Sequence, residues 1–263
     1  MLNFFKFGGI DSRDYGIFII SSNSFDSPKR KTTAYSIPGR DGDIIVDEGY
    51  YLNVDITYKV RISIDKLLAN NPNTNIAYAL DGIKDCFYSI IGEYAELRDS
   101  YNPDYYRMGC FDNGFEFSEF KNNKDFIDTE ITFNCKPHRY REDGKEVIAI
   151  NNNTTNRIYN PEIYASLPLI QINKGTGDHA SVIIDGTSFQ FDFSNQSDFP
   201  GQSIPTINID SENQLVYYLG TNYYSKYSPP QSQKFPVLKS GTSIIQKTVE
   251  TGTVLITPRW RRI

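Results

Sequence analysis

Thr57-Tyr-Lys-Val-Arg-Ile-Ser-Ile64 alternates apolar with polar or charged residues, and Asp128-Thr-Glu-Ile-Thr-Phe-Asn-Cys-Lys136 does the same. Alternation with a period of two puts one face of each segment in a core and the other in water, which predicts two half-buried strands. Between them lies a different rhythm. Ile76, Leu80, Ile83, Phe87 and Ile90 fall at offsets 0, 4, 7, 11 and 14, the stripe of an amphipathic helix over about 75–91. Asn75 or Thr74 can cap its start, and Gly92 is a plausible stop.

Outward from this core the signal is β. Asp112, Asn113 and Gly114 predict a hairpin turn joining Tyr105–Phe111 to Phe115–Phe117, since Asn-Gly accepts the positive φ angles of tight hairpins. Asp185-Gly186 repeats the device between Ser181–Ile184 and Ser188–Phe193. Thr206–Ile209 and Gln214–Tyr218 flank a polar turn, and Thr253–Thr257 is a β-branched strand stopped by Pro258. Asn151 to Asn156 is polar and without period, which marks a linker at 141–160. The fold class expected is mainly β. An α+β N-terminal domain with one prominent helix (1–140) precedes a C-terminal sandwich or jelly roll (161–263).

Composition removes several classes. Among 263 residues, 14% are aromatic and the net charge is only -5, the opposite of a disordered chain. Residues 1–140 hold 16 basic and 21 acidic side chains and the remainder 11 of each, so the first domain carries the whole excess. An acidic balance disfavours sequence-independent grip on nucleic acid. No apolar run is long enough for a membrane span, and the start lacks the apolar core of an export signal. Cys86, Cys110 and Cys135 form no C-x-x-C pair and read as buried or free thiols in a reducing compartment.

Catalytic equipment is not recognisable. His138 and His179 sit in no metal-binding motif and read as surface or ring-packing histidines. Gly175-Thr-Gly-Asp-His-Ala180 matches G-x-G-x-x-A, but strand-like Ser181–Ile184 follows where a dinucleotide site needs a helix. Asp41 with Asp43, and Asp192 with Asp198, are carboxylate pairs without a calcium-loop pattern. Arg259-Trp-Arg-Arg262 is too short for a nucleic-acid footprint and reads as a strand end with a packed Trp. No catalytic residue, metal ligand or cofactor site is assigned.

The informative motifs are Gly9, Asp11, Ser12, Tyr15, Gly16; Ile37-Pro-Gly-Arg-Asp-Gly42; Phe133-Asn-Cys-Lys-Pro-His-Arg-Tyr140; and Ile256-Thr-Pro-Arg-Trp-Arg-Arg-Ile263. In the second, Pro-Gly and Asp-Gly turns hold Arg40 between two bends. The guanidinium is then available to a carboxylate of its own domain, the favoured reading, or of a neighbouring subunit. In order and spacing these motifs resemble the distal tail proteins of phages with long, flexible tails.

That resemblance implies a structural virion protein without enzymatic activity. Its N-terminal domain would form a six-membered ring continuing the tail tube, and a galectin-like C-terminal sandwich would project outward. Partners implied are other copies of the chain, the tail tube protein, the tail-tip protein and receptor-binding proteins. DNA passes without specific binding, and assembly takes place in the host cytoplasm. Ile37, Pro38, Gly39, Arg40, Asp41 and Gly42 are the candidate ring or tube interface. A ring needs two different faces per subunit, and edge strands of the first domain can supply them. The alternative is a sugar-binding C-terminal module recognising cell-wall polysaccharide, with Tyr217, Tyr218, Tyr223, Tyr224 and Tyr227 as stacking platforms. A sandwich glycoside hydrolase is a third reading, which needs two suitably spaced carboxylates.

Overall fold

The computed structural model describes residues 2–69, 75–90, 92–115, 125–151, 155–173, 179–192, 206–218, 234–247 and 252–263. The chain divides into two compact units, Met1–Arg139 with Ile263, and Tyr140–Arg262.

The first unit contains β1 (Phe5–Phe7), β2 (Ile10–Asp11), β3 (Ile17–Ser22), β4 (Arg30–Tyr35), β5 (Ile44–Tyr51), β6 (Val54–Ser63), α1 (Ile64–Ala69), α2 (Ile76–Tyr88), β7 (Ala95–Asp99), β8 (Tyr105–Cys110) and β9 (Phe126–Arg141). Its main sheet runs β2-β1-β7-β8-β9-β6-β3. The two alternating segments read from sequence are neighbours, paired from Val54↔Cys135 to Ser63↔Phe126. Ile56, Tyr58, Val60 and Ile62 all turn inward with Ile127, Ile131 and Phe133. The buried stripe of α2, Ala79, Leu80, Ile83 and Phe87, joins that core. Rings fill it: Phe5 stacks on Tyr58 at 5.1 Å, Phe7 meets Phe133 at 4.7 Å, and Phe87 meets Phe111 edge-on at 5.5 Å. Such pairs add about 0.5–1.5 kcal/mol each beyond area burial.

Asn75 caps α2 as expected, its Oδ1 accepting from Tyr78 N at 2.8 Å; Thr74 lies outside the described residues. The helix stops at Tyr88, before Gly92. Ser89 closes it, its N donating to Asp85 O and its Oγ to Cys86 O, while Gly92 takes its left-handed φ of 87° beyond the end. The hairpin expected around Asn113-Gly114 does not form within 111–115. β8 ends at Cys110 and lies between β7 and β9. Phe111 and Phe115 instead pack on Phe87, at 5.5 and 5.3 Å, so aromatic burial outweighs the local turn signal. Residues 116 and 117 lie outside the described residues.

The second unit contains β10 (Ile148–Ile150), β11 (Asn156–Asn160), β12 (Leu169–Asn173), β13 (His179–Ile184), β14 (Thr187–Asp192), β15 (Thr206–Asp210), β16 (Leu215–Tyr218), β17 (Gly241–Lys247), β18 (Val254–Thr257) and β19 (Arg261–Arg262). Two antiparallel sheets, β10-β18-β12-β15-β16 and β11-β17-β13-β14, share one core of Ile158, Ile170, Ile172, Val182, Ile184, Ile209, Ile245, Val254 and Ile256. This is a β-sandwich. Asp185 and Gly186 both adopt positive φ, 48° and 81°, in the two-residue hairpin joining β13 to β14. The stretch 141–160, read as a linker, instead supplies β10 to one sheet and β11 to the other. Polar Asn156 and Asn160 flank buried Ile158, so ladder pairing with β17 overrides their turn preference.

Candidate functional site

Residues Ile37 to Gly42 form the tip of an arm. β4 and β5 pair only with each other among the described strands, from Tyr35↔Ile44 to Arg30↔Tyr51, with a bulge between Arg30 and Thr32. Leu52 N donating to Lys29 O at 2.9 Å closes the base. There Arg30 forks onto Asp47 at 2.8 and 2.9 Å and lies 4.6 Å over the Tyr51 ring. The guanidinium beside Asp47 holds its carboxyl below the usual range. Thr33 Oγ1 donates to Glu48 at 2.6 Å farther along, and the edge of His138 meets Tyr51 at 6.1 Å, a ring-packing histidine.

At the tip, Gly39 and Gly42 adopt φ of 82° and 80°. Arg40 N donates to Ile37 O at 3.2 Å, and Ser36 Oγ to Asp43 at 2.6 Å. These bonds fix the loop and leave Arg40 and Asp41 pointing outward. The favoured reading of Arg40 as an intradomain pair is not met: its guanidinium has no ion pair or hydrogen bond among the described residues. Asp43 is engaged by Ser36, and no group of three or more His, Cys, Asp or Glu side chains that could hold a metal ion occurs among the described residues.

The arm is also apolar where it should be wet. Tyr35, Ile37, Ile44, Ile45, Val46, Tyr50 and Leu52 are all exposed, Ile45 to 71%. A two-stranded ribbon is marginal alone in water, and a long apolar ribbon with free edges is a template for pairing. Sequence periodicity misses it because neither strand buries a face, so no polar–apolar alternation is selected; the signal was the turn-dense Ile37–Gly42 alone.

The other motifs have structural roles. Asp11 caps a tight helical turn over Ser12–Tyr15, accepting from Arg13, whose guanidinium lowers its pKa. Ser12 Oγ accepts from Phe5 N at 3.1 Å, Tyr15 OH meets Cys86 Sγ at 2.9 Å, and Gly16 ends the turn at φ 67°. In the second unit Trp260 is buried in the core, as read. Arg259, at φ 56°, pairs with buried Asp210 at 2.7 Å, and Tyr140 OH donates to Glu212 at 2.5 Å. Gly175 to Asp178, Asp198, Tyr223, Tyr224 and Tyr227 lie outside the described residues, as do the side chains of His179, Asp192 and Tyr218.

No protein-family model matches the sequence, and no curated protein does. Solved structures do match. The chain is similar to the crystal structure of the phage SPP1 Dit protein, described as a paradigm of hub adsorption apparatus in phages infecting Gram-positive hosts. The identity is 12%, over 97% of this chain and 98% of that one, with a TM-score of 0.65. It is also similar to a chain of the phage p2 baseplate in its activated conformation with Sr, at 9% identity, 100% and 99% coverage and a TM-score of 0.53. The same baseplate with Ca gives 10%, 100%, 99% and 0.54. What these identities establish is the fold, and along nearly its whole length this chain has the fold of the SPP1 Dit protein.

Proposed function

We propose that this chain is a distal tail protein, a structural hub that joins a phage tail tube to the tail-tip or adhesion device and carries no catalytic activity. Copies close into a six-membered ring through the first unit, the sandwich faces outward, and DNA passes through the lumen without specific binding. The neighbours are the tube protein, the tail-tip protein and receptor-binding proteins, at the virion tail tip.

The observation that carries this reading is the exposed arm Arg30–Leu52 on a chain with the fold of a hub protein. An isolated protomer gains nothing from seven exposed apolar side chains on an unsupported ribbon; a neighbour that covers them does. Free strand edges on β4 and β5 give the heterologous contact that cyclic closure needs. The acidic excess of residues 1–140 suits a lumen that must not hold phosphate.

Light scattering with negative-stain imaging of the purified chain tests the proposal. Hollow rings of about six protomers are the expected result. A monomer at every concentration, with and without a tail tube partner, would contradict it.

A further inference from the structure

Gly82 stands in the middle of α2, where glycine destabilises a helix relative to alanine because it gives up more backbone freedom and packs no side chain. Its own protomer supplies no reason for it. Its φ is not left-handed, and nothing among the described residues lies within 4 Å of where a Cβ would stand. The glycine lies off the buried stripe, with Tyr78 one turn before it and Asp85 one turn after it. Both are exposed, Tyr78 to 69%. The missing side chain therefore leaves a shallow notch between a bare ring and a carboxylate. Nearby Asp81 is already held by Lys84 at 2.8 Å, whereas the Asp85 carboxylate has no hydrogen bond or ion pair among the described residues.

The tip of the arm carries the matching features. Arg40 N donating to Ile37 O closes a turn with Ile37 and Arg40 at its two ends and compact Pro38-Gly39 at its bend. Ile37 is exposed, and Arg40 is a cation with no partner among the described residues. We infer that the arm tip of one copy docks across α2 of the next copy at Gly82. Ile37 packs on the Tyr78 ring, Arg40 forks onto the Asp85 carboxylate, and the Pro38-Gly39 bend approaches the helix where a longer side chain would hold it off. A second copy fits as the occupant because the charges correspond: one unpaired guanidinium on the tip, one unpaired carboxylate beside the notch. The two surfaces also stand apart on one protomer, as cyclic closure requires. The arm joins the start of β6 at Val54 and α1 follows its end at Ser63, ten residues and about 30 Å on. This contact rests on the ring reading and names the surface that receives the arm.

The test is mass photometry of the full chain over a dilution series. Arg40→Glu and Asp85→Lys should each raise the concentration for half-assembly on the order of tenfold. The double variant, which restores the pair with its charges exchanged, should return to within about threefold of wild type. Gly82→Gln separates docking from folding. Below the assembly concentration its melting temperature should rise by about 1–4 °C, since glutamine is the better helix former. Half-assembly should nevertheless need on the order of tenfold more protein, because the notch is filled. A merely structural role for Gly82 would move both readouts in the same direction. If wild type forms rings and Asp85→Lys and Gly82→Gln assemble equally well, or if the double variant is no better than either single one, this contact is overturned and the hub reading stands. A wild type that never assembles removes both.

Discussion

Replacing Ile45 with Asp separates assembly from folding. Ile45 sits on β5 opposite Ala34 and is 71% exposed, so the protomer's own core does not depend on it. Fully burying an isoleucine side chain is worth about 1.5–3 kcal/mol, and 71% of that remains for a neighbour to realise, about 1–2 kcal/mol per contact. One such loss weakens each interface roughly 5- to 30-fold, before the cost of desolvating the new carboxylate. Because a closed ring repeats the contact at every interface, the concentration for half-assembly should rise by at least that factor. Protomer melting should move little, as a surface change costs within about 0.5 kcal/mol. Mass photometry over a dilution series reads the first quantity and circular dichroism the second. Ile163→Asp, at a still more exposed position of the second unit, is the control and should assemble normally. If Ile45→Asp assembled as tightly as wild type while Ile163→Asp did not, the assignment of the contact to the arm would be wrong.

Three further predictions concern the protomer. Burial alone would raise the Asp210 pKa, but Arg259 and Asn213 outweigh it and hold it below the ordinary value; the resulting stability is present above about pH 4 and lost as pH falls through the lower folded pKa. Asp210→Asn should therefore cost on the order of 3 kcal/mol at pH 7 and flatten the acid limb of the second unit's melting profile; an unchanged acid limb would refute the pairing. Gly144→Ala would place a Cβ 2.5 Å from Trp260 N, a backbone atom, and should cost about 1–3 kcal/mol in chemical denaturation. Cys135 is buried and its thiol pushed up to about 12, so a thiol reagent at pH 8 should label Cys86 or Cys110 first and reach Cys135 only on unfolding; peptide mapping by mass spectrometry reads the order.

Elements that bury one face are legible in the sequence, and those whose burial is absent or comes from afar are not. β6, β9 and α2 declare themselves because Ile56 to Ile62, Ile127 to Cys135 and Ala79 to Phe87 each present a buried face at the period of their own backbone. The β13–β14 hairpin was legible from Asp185-Gly186, since positive φ at both residues is a local demand. The turn at Asn113-Gly114 misled because its neighbours Phe111 and Phe115 answer to Phe87, a contact no short window contains. β10 and β11 were read as linker for a similar reason: their pairing partners, β18 and β17, lie about a hundred residues away in sequence. The arm shows the opposite limit. Its tip was visible in the glycines, but the exposed Ile44, Ile45 and Val46 resemble a buried strand until the structure shows nothing over them. Arg107 could not be read at all, because only tertiary structure tells an inward arginine from an outward one.

Electron cryomicroscopy of the assembled protein, resolving which residues each protomer presents to its neighbour, tests the central claim most directly. A closed ring in which residues 30–52 of each protomer are covered by the next, with the first unit around an open lumen, is the predicted result. Rings held together only through residues 161–263, with the arm still bare, would contradict it.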